Sequence, residues 1–224
     1  MGTAFLIVLC CCILTVTPFT EDQLFRATNY IHKTITRGIN VQYSYVAVFT
    51  ADQCINLNIE DLMNALREEN ASVLVKMVKS KKIYEGPRMV AASYLRLDNG
   101  SAVHAEARLL NGKGGAPSPV QNLLNINQDK GCVLFYTLNS PCTRYCAKVG
   151  GRYNILSRLD IFNGIQNRAL VYNEVYHDEF DKNETDVWAA WAAINRRIDF
   201  YRCTNNQCYR CFEYNTGSRN TDCY

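Results

Sequence analysis

The stretch CVLFYTLNSPCTRYC, residues 132–146, opens with seven apolar, aromatic or hydroxyl side chains and breaks at Ser140-Pro141. A continuous run of that kind reads as a buried strand, one covered on both faces, which places helices above and below a sheet. Beyond the break, residues 143–149 read as a helix that ends at Gly150-Gly151. Upstream, residues 89–97 read as a strand, and Asp98-Asn99-Gly100 supplies residues that tolerate the positive φ of a tight hairpin turn. The partner strand leads into His104, and residues 106–111 have helical character.

The flanks extend the same alternation. Leu24, Phe25, Ala27, Ile31 and Ile35 recur at three- and four-residue spacing, so residues 23–39 read as an amphipathic helix closed near Gly38. Val41, Tyr43, Tyr45, Ala47 and Phe49 alternate along a strand, residues 41–50. Residues 59–69 form a short helix with Asn58 as N-cap, and 73–78 either continue it or form a strand. A Gly/Pro loop with a small helix around 120–126 precedes the buried strand. After it, residues 168–176 read as a strand and 185–201 as a long helix capped by Thr185. The expected architecture is one α/β domain with a mixed sheet of about five strands, helices on both faces, and a disulfide-stapled C-terminal extension over 203–224.

Two short strings carry chemistry: His104-Ala105-Glu106 at a strand-to-helix junction, and Pro141-Cys142 with Cys146 after the buried strand. A catalytic zinc takes three protein ligands and leaves one position open, and neutral His104 with the thiolates of Cys142 and Cys146 makes such a set. In a helix, cysteines four apart lie on one face, and a helix N-terminus favours the thiolate. Glu106 is left free of the metal to move protons between water, ring nitrogen and departing amine. The competing structural reading is four disulfides and an ordinary strand-end histidine. It is outweighed because both strings fall at the positions that the chemistry requires.

The strings match the signature of zinc-dependent nucleobase deaminases. Leu138-Asn139-Ser140-Pro141-Cys142, with Cys146-Ala147 after it, resembles the AID/APOBEC-type branch of the cytidine deaminase-like superfamily, and secreted toxin-type deaminases carry similar motifs. The likeness in element order runs from about residue 23 to residue 201. It implies a three-layer α/β/α fold, Zn2+ at His104, Cys142 and Cys146, Glu106 as the catalytic acid/base, and a nucleobase-containing substrate. Three features depart from the common pattern: three residues separate the cysteines where two are usual, 34 residues separate Glu106 from Pro141, and an oxidising compartment offers Cys142 and Cys146 a disulfide, with each other or with other cysteines, in place of zinc.

The resemblance leaves substrate size open. The Ser-Pro-Cys pattern favours single-stranded nucleic acid. In that fold the loop after the fourth strand borders the pocket, and here residues 177–186 carry Asp178, Glu179, Asp181, Glu184 and Asp186, which repel phosphates and favour a nucleoside. The balance leans to nucleic acid, and cytosine is the expected base. The alternative class is an inactive extracellular binding module on the same fold.

Composition restricts the setting. The chain has 224 residues, 48% hydrophobic, with a net charge of +3 too dispersed to announce a nucleic-acid binder by itself. Residues 1–20 contain no charge and an apolar run over 4–14, shorter than the roughly 20 residues of a membrane span, so they read as a signal peptide and imply a secreted, extracellular protein without a membrane anchor. Three of the 11 cysteines lie in that leader, leaving eight, an even number suited to export. If zinc takes two, Cys54, Cys132, Cys203, Cys208, Cys211 and Cys223 remain for three disulfides. Sequons at Asn70, Asn99 and Asn183 agree with a glycoprotein. His32 and His177 read as solvated residues, Trp188 and Trp191 as core, and Cys208-x-x-Cys211 as part of a structural disulfide set.

Overall fold

The computed structural model describes residues 18–151 and 153–224. The chain order is α1 (Glu21–Thr34), β1 (Tyr43–Thr50), α2 (Ala51–Asn56), α3 (Ile59–Leu66), α4 (Ala71–Lys79), β2 (Tyr84–Glu85), β3 (Met89–Ser93), β4 (Leu95–Arg96) and β5 (Ala102–Val103). It continues with α5 (Ala105–Leu110), α6 (Pro119–Ile126), β6 (Lys130–Asn139), β7 (Asn167–Glu174), α7 (Glu184–Asn195), β8 (Asp199–Cys203) and β9 (Cys208–Arg210). The main sheet has the order β2-β3-β1-β6-β7-β8-β9, and β4 with β5 forms a separate hairpin. Pairing is antiparallel from β2 to β6, parallel from β6 to β8, and antiparallel again between β8 and β9.

Strand alternation divides the core into two layers. On β1 and β6, Tyr43, Tyr45, Ala47, Phe49, Cys132, Leu134 and Tyr136 face α1 to α4. Val46, Val48, Val133 and Phe135 face α5, α6 and α7. This is the expected three-layer α/β/α arrangement, with seven strands in the main sheet where the sequence pattern predicts about five. Four of the expected strands, β1, β3, β6 and β7, lie in it, while the strand leading into His104 is β5 of the separate hairpin. The additions are edge strands of two and three residues, β2 and β9, and β8, whose first three residues read as the end of the last helix. That helix is capped by Asn183 and not by Thr185, and it stops at Asn195, whose side chain accepts from the Phe200 N–H and turns the chain into β8.

Local sequence accounts for the helices on the first face. Thr20 with Gln23, Thr50 with Gln53, and Asn58 with Asp61 form reciprocal capping boxes at α1, α2 and α3, each satisfying backbone donors that would otherwise be unpaired. A cap of this kind stabilises by about 1 kcal/mol. The ambiguous run 73–78 is helical because Asn70 caps α4 and places Leu74 and Val78 four apart against the sheet.

The six cysteines outside the metal set pair as Cys54–Cys132, Cys203–Cys208 and Cys211–Cys223. Cys208 and Cys211 are therefore both structural, in different bridges. The last of these holds the tail on the aromatic cluster of Tyr172, Trp188, Trp191 and Tyr224, and the Tyr172 hydroxyl donates to the Cys223 carbonyl. Of the leader expected over residues 1–20, residues 1–17 lie outside the described residues. Phe19 is buried, with its N–H on Asn167 and its carbonyl receiving the Tyr201 hydroxyl, and Thr20 caps α1.

Candidate metal centre

His104 occupies the N-cap of α5 in extended backbone, directly after the β4–β5 hairpin. The hairpin turns as its residues predict, with Gly100 at φ +79° and the Leu97 N–H donating to the Ser101 carbonyl. Glu106 lies in the first turn of α5 and is 2% exposed.

Residues 143–149 are a correction. They form an irregular turn and not a helix: the Ala147 N–H reaches back to the Cys142 carbonyl, and the Ile155 N–H to that of Cys146. The buried residues of the segment do not follow a helical stripe: Cys146 and Ala147 are adjacent and buried, Tyr145 and Val149, four apart, are exposed, and Gly150 takes φ +74°. No helix N-terminus therefore acts on Cys142.

The turn is fastened by remote partners. The Ser140 N–H donates to the Glu174 carbonyl (2.7 Å), Ser140 Oγ accepts from the Tyr176 N–H (3.0 Å), and Trp191 Nε1 donates to the Pro141 carbonyl (3.3 Å). Glu179, fully buried, accepts the Thr143 N–H (3.1 Å) and pairs with Lys182 (2.6 Å), which also donates to Thr143 Oγ1 (2.7 Å). One of the five expected rim acids is thus a buried clamp. Asp178, Asp181, Glu184 and Asp186 are exposed.

This assembly brings the sequence-predicted residues together. His104 Nδ1 lies 3.2 Å from Cys146 Sγ and 3.5 Å from Cys142 Sγ, and the three donor atoms all fall within 4.8 Å of one another. Both thiols are free and buried, although the other six cysteines among the described residues are oxidised. One nitrogen and two sulfurs converging in this way form a soft donor set that fits zinc. His32 and His177 take no part, and His177 pairs with Asp178 at the surface.

The electrostatics favour a charged sulfur. The hydrogen bond from Cys146, followed by that from His104, pushes the Cys142 thiol down to about 4, while the same bond to Cys142 and burial push Cys146 well above the ordinary thiol range. The Cys142 hydrogen bond raises His104 against the opposing effect of its burial. Burial raises the Glu106 carboxyl, opposed by His104 and by the Thr137 hydroxyl, which donates to Oε1 at 3.0 Å. Glu106 Oε2 is buried with no protein partner among the described residues.

His104, Glu106 and Cys142 open on one cleft of about 310 Å3, with Gln42, Tyr94, Arg96 and Tyr176 also in its wall. Sequence reasoning misses these four residues, as it misses Thr137 and Ser44, whose hydroxyl donates to Thr137 at 2.9 Å. Thr137 carries a signal, a hydroxyl inside an otherwise apolar run. Gln42 and Ser44 carry another, polar residues alternating with the tyrosines of β1. The wall residues on β4 and beyond β7 are assembled only by tertiary structure.

A family model described as Secreted Novel AID/APOBEC-like Deaminase 2 matches residues 24–223. Nothing matches among the curated proteins, and nothing among the solved structures.

Proposed function

Since this chain belongs to the Secreted Novel AID/APOBEC-like Deaminase 2 family, we propose that it is an exported zinc-dependent hydrolase that removes the exocyclic amine of a nucleobase, cytosine first. The observation that carries the reading is His104 Nδ1 facing two free thiols, beside a buried carboxylate oxygen without a partner among the described residues. His104, Cys142 and Cys146 would hold the metal, which when bound would make water nucleophilic near neutral pH.

The remaining steps belong to the chain. Thr137 holds Oε1 of Glu106, so Oε2 is the atom that accepts a proton from the attacking water. Glu106 passes that proton to the ring nitrogen next to the amine-bearing carbon, then takes the proton remaining on the added hydroxyl and delivers it to the departing nitrogen. One water is consumed, the carbon–nitrogen bond breaks, and carbonyl product and ammonia leave. A carboxyl raised by burial is suited to both directions of transfer. Tyr94 and Tyr176 offer rings to the base, and Arg96 offers a cation to a phosphate, which supports the lean to single-stranded nucleic acid over free nucleoside.

Extracellular destination rests on the family and on the three disulfides. No helix among the described residues is long and apolar enough to cross a membrane. At the sequons, the side-chain oxygens of Asn70, Asn99 and Asn183 accept local hydrogen bonds while their exposed positions leave the amide available for a glycan.

The test is metal content and turnover together. About one zinc per chain is expected, lost in Cys142→Ala, with deamination of a C-containing oligonucleotide and none by Glu106→Ala. Cytidine, deoxycytidine and adenosine are offered alongside. Turnover of nucleosides alone reverses the lean, and a metal-free Cys142–Cys146 disulfide with no turnover overturns the enzyme.

A further inference from the structure

Across the sheet from the cleft, the end of α1 and the exposed side of α4 enclose an open groove of about 540 Å3. Arg37, Lys76 and Lys79 lie in its wall together with the hydroxyl residues Thr34, Ser72 and Ser80. The sequence around it is charged in one sense only. Residues 23–51 contain Arg26, Lys33 and Arg37 and no acid, and residues 70–84 contain Lys76, Lys79, Lys81 and Lys82 and no acid. Lys33, Arg37, Lys76, Lys79 and Lys82 are exposed, and none of them forms an ion pair among the described residues. Cations in the last turn of a helix complement its dipole, which accounts for Lys33, Lys76 and Lys79. It does not account for Arg37 and Lys82, which lie past the helix ends.

We propose that this groove is a binding site for a sulfated polysaccharide. The cations supply the attraction to sulfate, the hydroxyls of Thr34 and Ser72, which donate to the Tyr30 carbonyl and to Asn70 Oδ1, are left to accept from sugar hydroxyls, and the Ser80 hydroxyl suits either partner. No aromatic side chain lies in the wall, so the groove lacks the stacking platform by which proteins hold single-stranded nucleic acid, and charge with hydroxyl contact is the recognition left to it. The family is a secreted one, and anionic polysaccharide is the polyanion such a chain meets outside the cell. A groove on the α1/α4 side leaves the cleft open, so a bound chain would concentrate the protein at a matrix or cell surface without blocking the site.

The experiment uses the exported full chain on immobilised heparin, with unsulfated hyaluronan and a single-stranded deoxyoligonucleotide as competitors. The wild type binds heparin at physiological salt. The R37A/K76A/K79A variant binds it about tenfold more weakly or worse, and its log affinity falls less steeply with log salt by about one unit per cation removed. A variant that loses three exposed cations elsewhere, K113A/R158A/R196A, stays within about twofold of wild type, which separates the groove from net charge. All the altered residues are exposed, and thermal unfolding checks that both variants are folded. Equal weakening in the two variants overturns the proposal, as does absence of heparin binding at physiological salt. Oligonucleotide displacing heparin from the wild type more effectively than further heparin does overturns it in favour of a nucleic-acid surface.

Discussion

The helix that begins at His104 and the turn that carries Cys142 and Cys146 face each other across the cleft, and they are held in unlike ways. The α5 side is local: a hairpin with its own turn residues delivers the chain to an N-cap, and regular helix follows. The cysteine side depends on residues much later in the chain, through Glu174, Tyr176, Glu179, Lys182 and Trp191. The contrast shows that one ligand of the centre is placed by short-range sequence and two by tertiary contact. Metal binding should therefore order the second region much more than the first.

The largest expected effect comes from the local side. Glu106→Gln keeps the carbonyl acceptor for Thr137 but cannot shuttle a proton. It should reduce turnover by about 10²- to 10⁴-fold while zinc content and thermal stability stay close to wild type. Loss of zinc in this variant would show that Glu106 acts as a ligand.

Stripping the metal with a chelator separates the two regions directly. Hydrogen exchange measured before and after should show faster exchange at the amides of Thr143 and Ala147, which lie in the turn, with little change at Arg108 and Asn111 of the α5 segment. Equal loss of protection on both sides would mean that the centre folds as one unit and that the contrast is superficial.

Much of this arrangement is legible in the sequence, for reasons visible in single residues. His104, Glu106, Cys142 and Cys146 converge because each follows a strand end that the hydrophobic pattern marks, and β1, β6, β7, α1 and α3 come from periodicity and caps. The turn over 143–149 and the stretch after α7 read falsely as helix because polar residues there fit a helix nearly as well as a turn. Only burial of Cys146 and Ala147, and the pairing of β8 with β7, decide between them. Gln42, Tyr94 and Tyr176 converge from three separate parts of the chain, a relation that no local pattern contains.

A smaller effect tests the remote side. Glu179→Gln weakens the fully buried anchor on Thr143 and leaves Lys182 without its ion pair. Residues that support metal ligands typically cost 10- to 100-fold in metal affinity when removed, and a loss at the lower end, about tenfold, is expected because Ser140 and Trp191 still hold the turn. Zinc affinity measured by chelator competition reads this separately from thermal stability, which should fall by about 1–3 kcal/mol. Unchanged zinc affinity with reduced stability would make Glu179 a structural residue only. A Glu179→Gln, Lys182→Met double variant that recovers stability but not zinc affinity would assign the clamp to the metal centre.

The smallest effect lies at the hairpin tip. Asn99 is exposed, its side-chain oxygen accepts from the Ser101 N–H and hydroxyl, and its hairpin contributes Arg96 and Ala102 to the cleft wall. A glycan on its amide would stand at the entrance without touching His104 or Glu106, so it should hinder a long substrate and not a small one. In exported protein, Asn99→Gln should raise kcat/KM for an oligonucleotide by about two- to fivefold, within the roughly 1 kcal/mol that one peripheral obstruction supplies, and leave cytidine turnover unchanged. Mass spectrometry of the wild-type chain first establishes whether the sequon is occupied. An equal rise for both substrates would place the effect in the hairpin itself, because Asn99→Gln also alters the turn that delivers His104, and would show that the local side of the centre is less independent than its hydrogen bonds indicate.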